Sequence, residues 1–264
     1  MTNSDGRAKY GLKLQLRGFN MERIVESEGC NLSYKVRGTG PAVLLIQGVG
    51  VQGDGWQPQI EELASEYTCI SFDNRGIGKS QPTTRVISVE QLADDALAIL
   101  DAEKIASAHI VGHSLGGLIA LQLALSSKER VLSLSLMCTF PSGVMVAPLT
   151  MRMIWLGMRS QLGTRRMRRR GFIRLVLPPG RIKNLDETAE RLATLFGHDL
   201  GDQPKIVRDQ LRVMRASNVS SRLGELTNIP TMVVSACHDP IAPPRAGMAI
   251  RDGIRGSRYF EIEN

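Results

Sequence analysis

The chain has 264 residues, of which 42% are hydrophobic and 22% are charged, a composition typical of a globular protein with one full core. No stretch reaches the roughly 18 uncharged apolar residues that a membrane-spanning helix needs, so we expect no membrane span. The formal net charge is +7, but no recognised nucleic-acid-binding motif accompanies it, so we expect no nucleic-acid partner.

The start of the chain and the cysteines indicate in which cellular compartment we expect the protein. Residues 1–21 contain basic residues without the apolar stretch of a secretory signal, so we predict a flexible N-terminal extension. The cysteines are scattered and form no C-x-x-C pair; they are Cys30, Cys69, Cys138 and Cys237. We interpret them as reduced thiols of a cytoplasmic protein, and we expect no cofactor and no metal site. The oligomeric state is left open by the sequence.

Short apolar runs alternate with helix-like segments along much of the chain. Strands are predicted at 32–36, 42–47, 68–72, 109–111, 132–138, 231–235 and 258–262. Helices are predicted at 56–65, from a Ser88 capping box to about residue 100, and at 115–126. This order predicts an α/β fold with a mostly parallel sheet flanked by helices.

The alternation stops between residues 141 and 227. That segment is rich in Met, Arg and Leu, and we predict that it forms a helical lid over a core made of 22–140 and 228–264. No acidic residue occurs between Arg130 and Leu185, whereas ten basic residues do: Arg152, Arg159, Arg165, Arg166, Arg168, Arg169, Arg170, Arg174, Arg181 and Lys183. They are interpreted as a solvated helix face, with attraction of an acidic substrate or of an anionic surface as alternatives.

Ser114 carries the strongest chemical signal. It is the centre of a G-x-S-x-G sequence, 112–116, that lies between a predicted strand and a predicted helix. In that setting the serine occupies a sharp turn that lifts its hydroxyl above the sheet, and the helix N-terminus behind it favours a developing negative charge. We therefore predict that Ser114 is a nucleophile.

Four separated motifs resemble those of the α/β-hydrolase superfamily, in the branch with enol-lactone hydrolases and cofactor-free haloperoxidase-like esterases. They are Gln47-Gly48-Val49-Gly50 with Trp56, the D-x-R-G-x-G-x-S loop at 73–80, the serine turn at 112–116, and the loop at 237–243. The resemblance covers roughly residues 22–264 and implies an α/β-hydrolase fold with a helical lid insertion.

The resemblance also implies roles for individual residues. The backbone N–H groups of Val49 and Leu115 would form the oxyanion hole, and Asp239 would be the acid of a catalytic triad. Gln47 departs from the histidine that is usual there, so we expect a modest change in how the oxyanion loop is oriented. Asp73 and Arg75 are predicted to form a structural ion pair. The implied reaction is cleavage of a small carboxylic ester or lactone through an acyl-enzyme intermediate.

The general base is missing from the expected position. The resemblance places a histidine in the loop after the last strand, but the sequence ends at Asn264, two residues after that predicted strand. His113 is expected to point away from the Ser114 hydroxyl, and His198 is expected to be a surface residue of the lid. Two hypotheses follow: a C-terminally truncated hydrolase, inactive or impaired as written and lacking the final loop and helix, or a non-catalytic small-molecule-binding or interaction module.

Overall fold

An eight-stranded sheet organises the computed structural model, which describes residues 22–80, 87–148, 150–178, 180, 182 and 184–263. The strands are β1 (Glu22–Ser27), β2 (Cys30–Arg37), β3 (Ala42–Ile46), β4 (Thr68–Phe72), β5 (Ala108–His113), β6 (Val131–Met137), β7 (Thr231–Ala236) and β8 (Arg258–Ile262). Their order is β1-β2-β4-β3-β5-β6-β7-β8, and β2 pairs antiparallel with both β1 and β4 while the other pairs are parallel. The predicted mostly parallel sheet is confirmed. The predicted extension at 1–21 lies outside the described residues.

Eight α-helices accompany the sheet in the described part of the chain. They are α1 (Gln57–Leu63), α2 (Val89–Ala102), α3 (Leu115–Ser126), α4 (Met151–Arg159), α5 (Arg165–Val176), α6 (Leu185–Phe196), α7 (Val207–Ala216) and α8 (Pro244–Gly253). Ser88 caps α2 by accepting a hydrogen bond from the Gln91 N–H, at 3.2 Å, as the capping-box pattern predicts.

The centre of the sheet is fully enclosed, as expected of parallel strands covered by helices. All five residues of β3 are buried. Eleven of the twelve residues of α3 are buried as well, because this helix is apolar on every side. These two elements carry the serine turn and the loop after β3, 47–52, which is called the oxyanion loop below for its predicted role, so both loops begin from fully buried elements.

The sequence analysis missed β1 and α8. β1 is an edge strand with the sequence Glu-Arg-Ile-Val-Glu-Ser and pairs only with β2, so most of it is exposed and it shows no apolar face. α8 has ten residues and a proline at its start, so its apolar periodicity is short. Short or exposed elements give weak periodic signals.

Residues 138–230, called the insertion below, connect β6 to β7 and contain the four helices α4 to α7. The insertion has a small core of its own, made of Ile173, Ala189 and Leu200 with partly buried neighbours. The segment predicted as a helical lid, 141–227, lies within it. Its role as a lid stays a prediction.

Most arginines of α5 pair with acids of α6 and of the loop after it. The ion pairs are Arg165–Asp202 (2.7 Å), Arg166–Asp186 (2.6 Å), Arg168–Asp202 (2.8 Å), Arg170–Asp186 (3.1 Å) and Arg169–Asp199. These acids follow the basic run in sequence and lie beside it in the fold, so five of the six arginines of α5 have an acidic partner, although three carboxylates serve all five and the segment stays net positive. Arg181 and Lys183 lie outside the described side chains.

The predicted ion pair between Asp73 and Arg75 is wrong. Arg75 is buried and donates from Nε to Asp95 Oδ2 at 2.7 Å, and its Nη2 donates to the Ser27 carbonyl at 3.0 Å. Asp73 instead accepts backbone N–H groups from Gly53 and Lys79, at 2.8 and 2.9 Å. The Arg75 side chain turns towards α2, where Asp95 offers a bidentate partner, and both residues still have structural roles.

No metal site or membrane span is found in the described part. No three His, Cys, Asp or Glu side chains of these residues come together as metal ligands would. Among the same residues, every helix is too short or too polar to cross a bilayer.

Candidate active site

Ser114 lies in a strained turn between β5 and α3. Its backbone has φ +54° and ψ −118°, a conformation that residues with a side chain rarely adopt. Hydrogen bonds hold the turn: the Ser114 N–H donates to the Met137 carbonyl at 2.9 Å, and the Thr139 hydroxyl donates to the Ser114 carbonyl at 2.6 Å. Strain that the surroundings enforce is typical of functional positions.

The two glycines of the motif are needed because the backbone passes very close to its neighbours. A Cβ on Gly112 would lie 2.3 Å from the Gly116 carbonyl oxygen, and a Cβ on Gly116 would lie 2.1 Å from the Ile46 carbonyl oxygen. No side chain fits at either position without moving the main chain. The turn therefore presses the start of α3 against the end of β3, where the oxyanion loop begins.

The two predicted oxyanion donors lie on either side of that contact. Leu115 is the first residue of α3, and the first N–H groups of a helix have no partner within it. Val49 lies in the loop after β3, and no described residue accepts a hydrogen bond from its N–H. Their role as an oxyanion hole stays a prediction.

A cavity with about 910 Å³ of empty space, partly open to solvent, brings the predicted site residues together. Ser114, Asp239 and Val49 all line it. Its other walls are mainly apolar, and much of that surface comes from the insertion: Phe172, Leu175, Val176, Phe196, Val207, Leu211 and Met214. Among the described residues that line it, Asp239 is the one acidic residue and none is a lysine or arginine.

Asp239 follows β7 and is fixed by its own loop. Its Oδ1 accepts the backbone N–H groups of Ile241 and Ala242, at 2.8 and 2.9 Å. This loop geometry explains the spacing of the D-x-I-x-P motif, since the two residues that donate are those that follow Pro240. Two backbone N–H groups therefore hold the carboxylate at the cavity wall, and the Cys138 thiol is also within hydrogen-bond reach of it.

Cys138 and His113 also face the cavity, and sequence reasoning gave neither a role there. Burial, reinforced by the nearby Asp239 charge, raises the pKa of the Cys138 thiol to about 11, so this thiol stays protonated near neutral pH and competes poorly with Ser114 as a nucleophile. Burial lowers the pKa of His113, and Asp239 partly opposes that effect. Cys138 follows the end of β6 at the same sheet edge as Ser114, which is the signal that could have found it.

No histidine of the described chain donates to or accepts from Ser114 Oγ or Asp239. His109 bonds to the Ser133 hydroxyl at 2.8 Å, on the sheet, and His238 is exposed. The expectation that His198 is a surface residue is wrong, because it is half-buried and its Nε2 donates to the Gly50 carbonyl at 2.8 Å.

The insertion holds the oxyanion loop through hydrogen bonds to both backbone polar groups of Gly50, its N–H and its carbonyl. Gly50 follows Val49, and its N–H donates to Oε1 of the fully buried Gln210 at 2.9 Å. Its carbonyl accepts the His198 bond described above, and the Gln52 N–H donates to the Phe196 carbonyl at 3.1 Å. We call these three bonds the Gly50 clamp. Its members are about 150 residues from the loop in sequence, so no local motif could reveal them.

Replacing Gln210 with leucine is expected to loosen the oxyanion loop. Leucine keeps the buried volume but removes the acceptor for the Gly50 N–H, and one hydrogen bond is worth about 0.5–1.5 kcal/mol. Amide hydrogen exchange in the peptide that contains 48–52 should therefore become roughly two- to tenfold faster. Gln161→Leu, an exposed glutamine of the insertion, should leave that exchange unchanged. Unaltered exchange in Gln210→Leu would show that the clamp does not hold the loop.

Comparisons with known proteins agree with the fold. A sequence family described as alpha/beta hydrolase fold matches residues 41–264. A putative carbamate hydrolase, RutD, of Azorhizobium caulinodans is 29% identical over 88% of this chain and 86% of its own length. A 3-oxoadipate enol-lactonase of Acinetobacter baylyi is 25% identical over 91% of this chain and 88% of its own. The crystal structure of a hydrolase from Pseudomonas aeruginosa superposes with a TM-score of 0.76, at 24% identity, over 91% of this chain and 89% of that one.

Proposed function

Because the chain belongs to the α/β-hydrolase fold family, we propose that it cleaves small carboxylic esters or lactones at Ser114 through an acyl-enzyme intermediate. Family membership and the names of the relatives support hydrolysis of a small ester, lactone or carbamate. The observation that carries the finer proposal is the strained turn of Ser114, which shares one apolar cavity with Asp239.

The proposed chemistry assigns one task to each element of the site. Ser114 Oγ attacks the carbonyl carbon, and the N–H groups of Val49 and Leu115 stabilise the negative charge that develops on the carbonyl oxygen. A general base takes the Ser114 Oγ proton and returns it to the oxygen of the departing alcohol or of the opened lactone ring, as the bond from that oxygen to the carbonyl carbon breaks. The same base then takes a proton from water, which attacks the acyl carbon, and returns it to Ser114 Oγ as the acid is released. Asp239 would orient and stabilise the imidazolium of a general base.

The rate of ester hydrolysis by this chain depends on whether a general base is available to Ser114. A serine hydroxyl needs a base within hydrogen-bond reach, and such a base contributes about 10²–10⁴-fold to the rate. Since no described histidine is bonded to Ser114 or Asp239, we expect slow turnover unless an imidazole is supplied. This expectation keeps the second candidate function open: a binding module that retains the cavity without catalysis.

Trapping the acyl group on Ser114 tests the proposal directly. The chain would be incubated with a p-nitrophenyl ester and analysed by mass spectrometry after digestion. We expect an acyl adduct on the peptide that contains Ser114, and more of it when imidazole is present during the incubation. If no adduct forms under either condition while the ester or its acid raises the melting temperature, the binding-module function is the correct one.

The cavity lining predicts a neutral, apolar acyl group. Each additional CH₂ that is buried contributes about 0.8 kcal/mol, so kcat/KM, measured with imidazole, should rise roughly fourfold per CH₂ from acetyl to hexanoyl esters. Five of the six arginines of α5 are paired with acids and none of the six lines the cavity, so an anionic succinyl half-ester should gain nothing at low salt. A half-ester preferred at low salt and lost at high salt would favour the acidic substrate considered from the sequence.

A further inference from the structure

A stripe of exposed apolar side chains runs along the outer face of α4. Its members recur at helical spacing and are called the α4 stripe: Met151 (80% exposed), Ile154 (41%), Trp155 (51%), Met158 (51%) and Leu162 (65%), the last just beyond the helix. Positions three and four apart fall on one side of a helix, so these side chains form one continuous surface. Apolar patches of this kind mark places where something else binds.

The stripe is the face of α4 that the fold leaves uncovered. The opposite face packs on the insertion, where Leu156 and Ser160 are buried and α4 contacts α5. A Cβ on Gly171 of α5 would lie 2.7 Å from the Arg159 carbonyl carbon, so the two helices are in close contact. The orientation of α4 is therefore fixed, and no described residue buries the stripe.

Charge around the stripe is strongly positive. The insertion carries sixteen Lys and Arg against seven Asp and Glu, a net charge of +9, whereas the rest of the chain carries seventeen against nineteen, a net charge of −2. Arg152 and Arg159 belong to α4, and neither has an ion-pair partner among the described residues. The Arg159 guanidinium lies 5.6 Å from the centre of the Trp155 ring, at the border of the stripe.

We propose that the α4 stripe docks on the surface of an anionic lipid bilayer. An anionic bilayer provides an apolar layer that can cover the α4 stripe and negative charge that can pair with Arg152 and Arg159. A tryptophan beside arginines on a short amphipathic helix is suited to the boundary between headgroups and acyl chains. A second copy of the chain would bring two positively charged insertions together, and a nucleic acid would leave the apolar side chains exposed.

The docked orientation places the insertion, not the sheet, against the lipid. α4 lies outside α5, and α5 contributes Phe172, Leu175 and Val176 to the cavity wall. The lipid contact is thus one helix layer away from the cavity. The proposal does not depend on the reaction at Ser114, so its test needs no catalytic activity.

Vesicle binding of the full chain tests the proposal. Co-sedimentation would compare two kinds of vesicle: phosphatidylcholine alone, and phosphatidylcholine with about 30% phosphatidylserine. The second mimics an anionic leaflet. We expect binding to the anionic vesicles, reduced at least tenfold in the double variant Trp155→Ser/Met158→Ser and weakened by salt. Ile24→Ser, an exposed apolar residue of β1, is the matched control and should bind like the parent chain.

Tryptophan fluorescence gives a second measurement that does not require a folded variant. The chain has two tryptophans, and Trp56 is buried, so a shift in emission on adding vesicles reports Trp155. We expect a blue shift, and quenching by brominated lipids, with anionic vesicles only. Absence of binding, or equal binding to neutral vesicles, overturns the proposal. So does a concentration-dependent dimer that the double variant abolishes, or binding to an acidic polymer without binding to vesicles.

Discussion

Replacing Ser114 with alanine is expected to abolish the ester hydrolysis that added imidazole stimulates. In the parent chain imidazole should give a saturable increase in p-nitrophenyl ester turnover, above the rate that imidazole produces without protein. General bases contribute about 10²–10⁴-fold, so the Ser114-dependent component should fall by at least about 100-fold in the variant. Without imidazole the substitution should have little effect, because members of a triad act as a unit.

Two further variants complete the interpretation of Ser114→Ala. Ser126→Ala removes an exposed serine at the end of the same helix, α3, and should behave like the parent chain. His113→Gln should also retain the imidazole-stimulated turnover. Fast turnover without imidazole that is lost in His113→Gln would assign the base to His113, which lines the cavity. Turnover that persists in Ser114→Ala would contradict the proposed nucleophile.

Replacing Asp95 with alanine is expected to lower the free energy of unfolding by about 3–5 kcal/mol. The substitution leaves the Arg75 guanidinium buried without its bidentate partner, and both side chains of the pair are only 1% exposed. It also removes the acceptor of the Ser27 hydroxyl, which bonds to Asp95 Oδ1 at 2.7 Å. The value would be measured by urea denaturation of parent and variant at neutral pH.

Asp101→Ala provides the comparison for a surface ion pair. Asp101 accepts from Arg130 at 2.6 Å, but its side chain is 65% exposed, so water replaces the lost partner. We expect a change of about 1 kcal/mol or less. If Asp95→Ala were no more destabilising than Asp101→Ala, the buried pair would not hold the loop between β4 and α2 onto the core.

The sequence predicted the parts of the fold and site that depend on neighbouring residues. The Ser114 turn needs only the strand before it, the helix after it and two glycines, and all of these are contiguous. The Asp239 loop is equally local, because its carboxylate bonds to the two backbone groups just after Pro240. Buried strands such as β3 are predicted from the sequence because every residue in them is apolar.

Features that depend on distant residues were missed or assigned wrong partners. Arg75 was paired with Asp73, two positions away, because no sequence pattern shows that α2 brings Asp95 against the loop. His198 was placed on the surface for the same reason, since its partner Gly50 is remote in sequence. The acids that pair with five arginines of α5 come later in the chain, so the basic run by itself does not reveal these ion pairs.

Through the Gly50 clamp the insertion does more than line the cavity, because it also fixes the loop that carries Val49. If the insertion swings away to admit a substrate, Gln210, His198 and Phe196 move with it, and the loop that carries Val49 loses all three bonds of the clamp. Admission of substrate and stabilisation of the oxyanion would then alternate in time. Ser114 would then face a fixed oxyanion loop only after the insertion had closed over the bound ester. An ester too long to let the insertion close would bind without being cleaved.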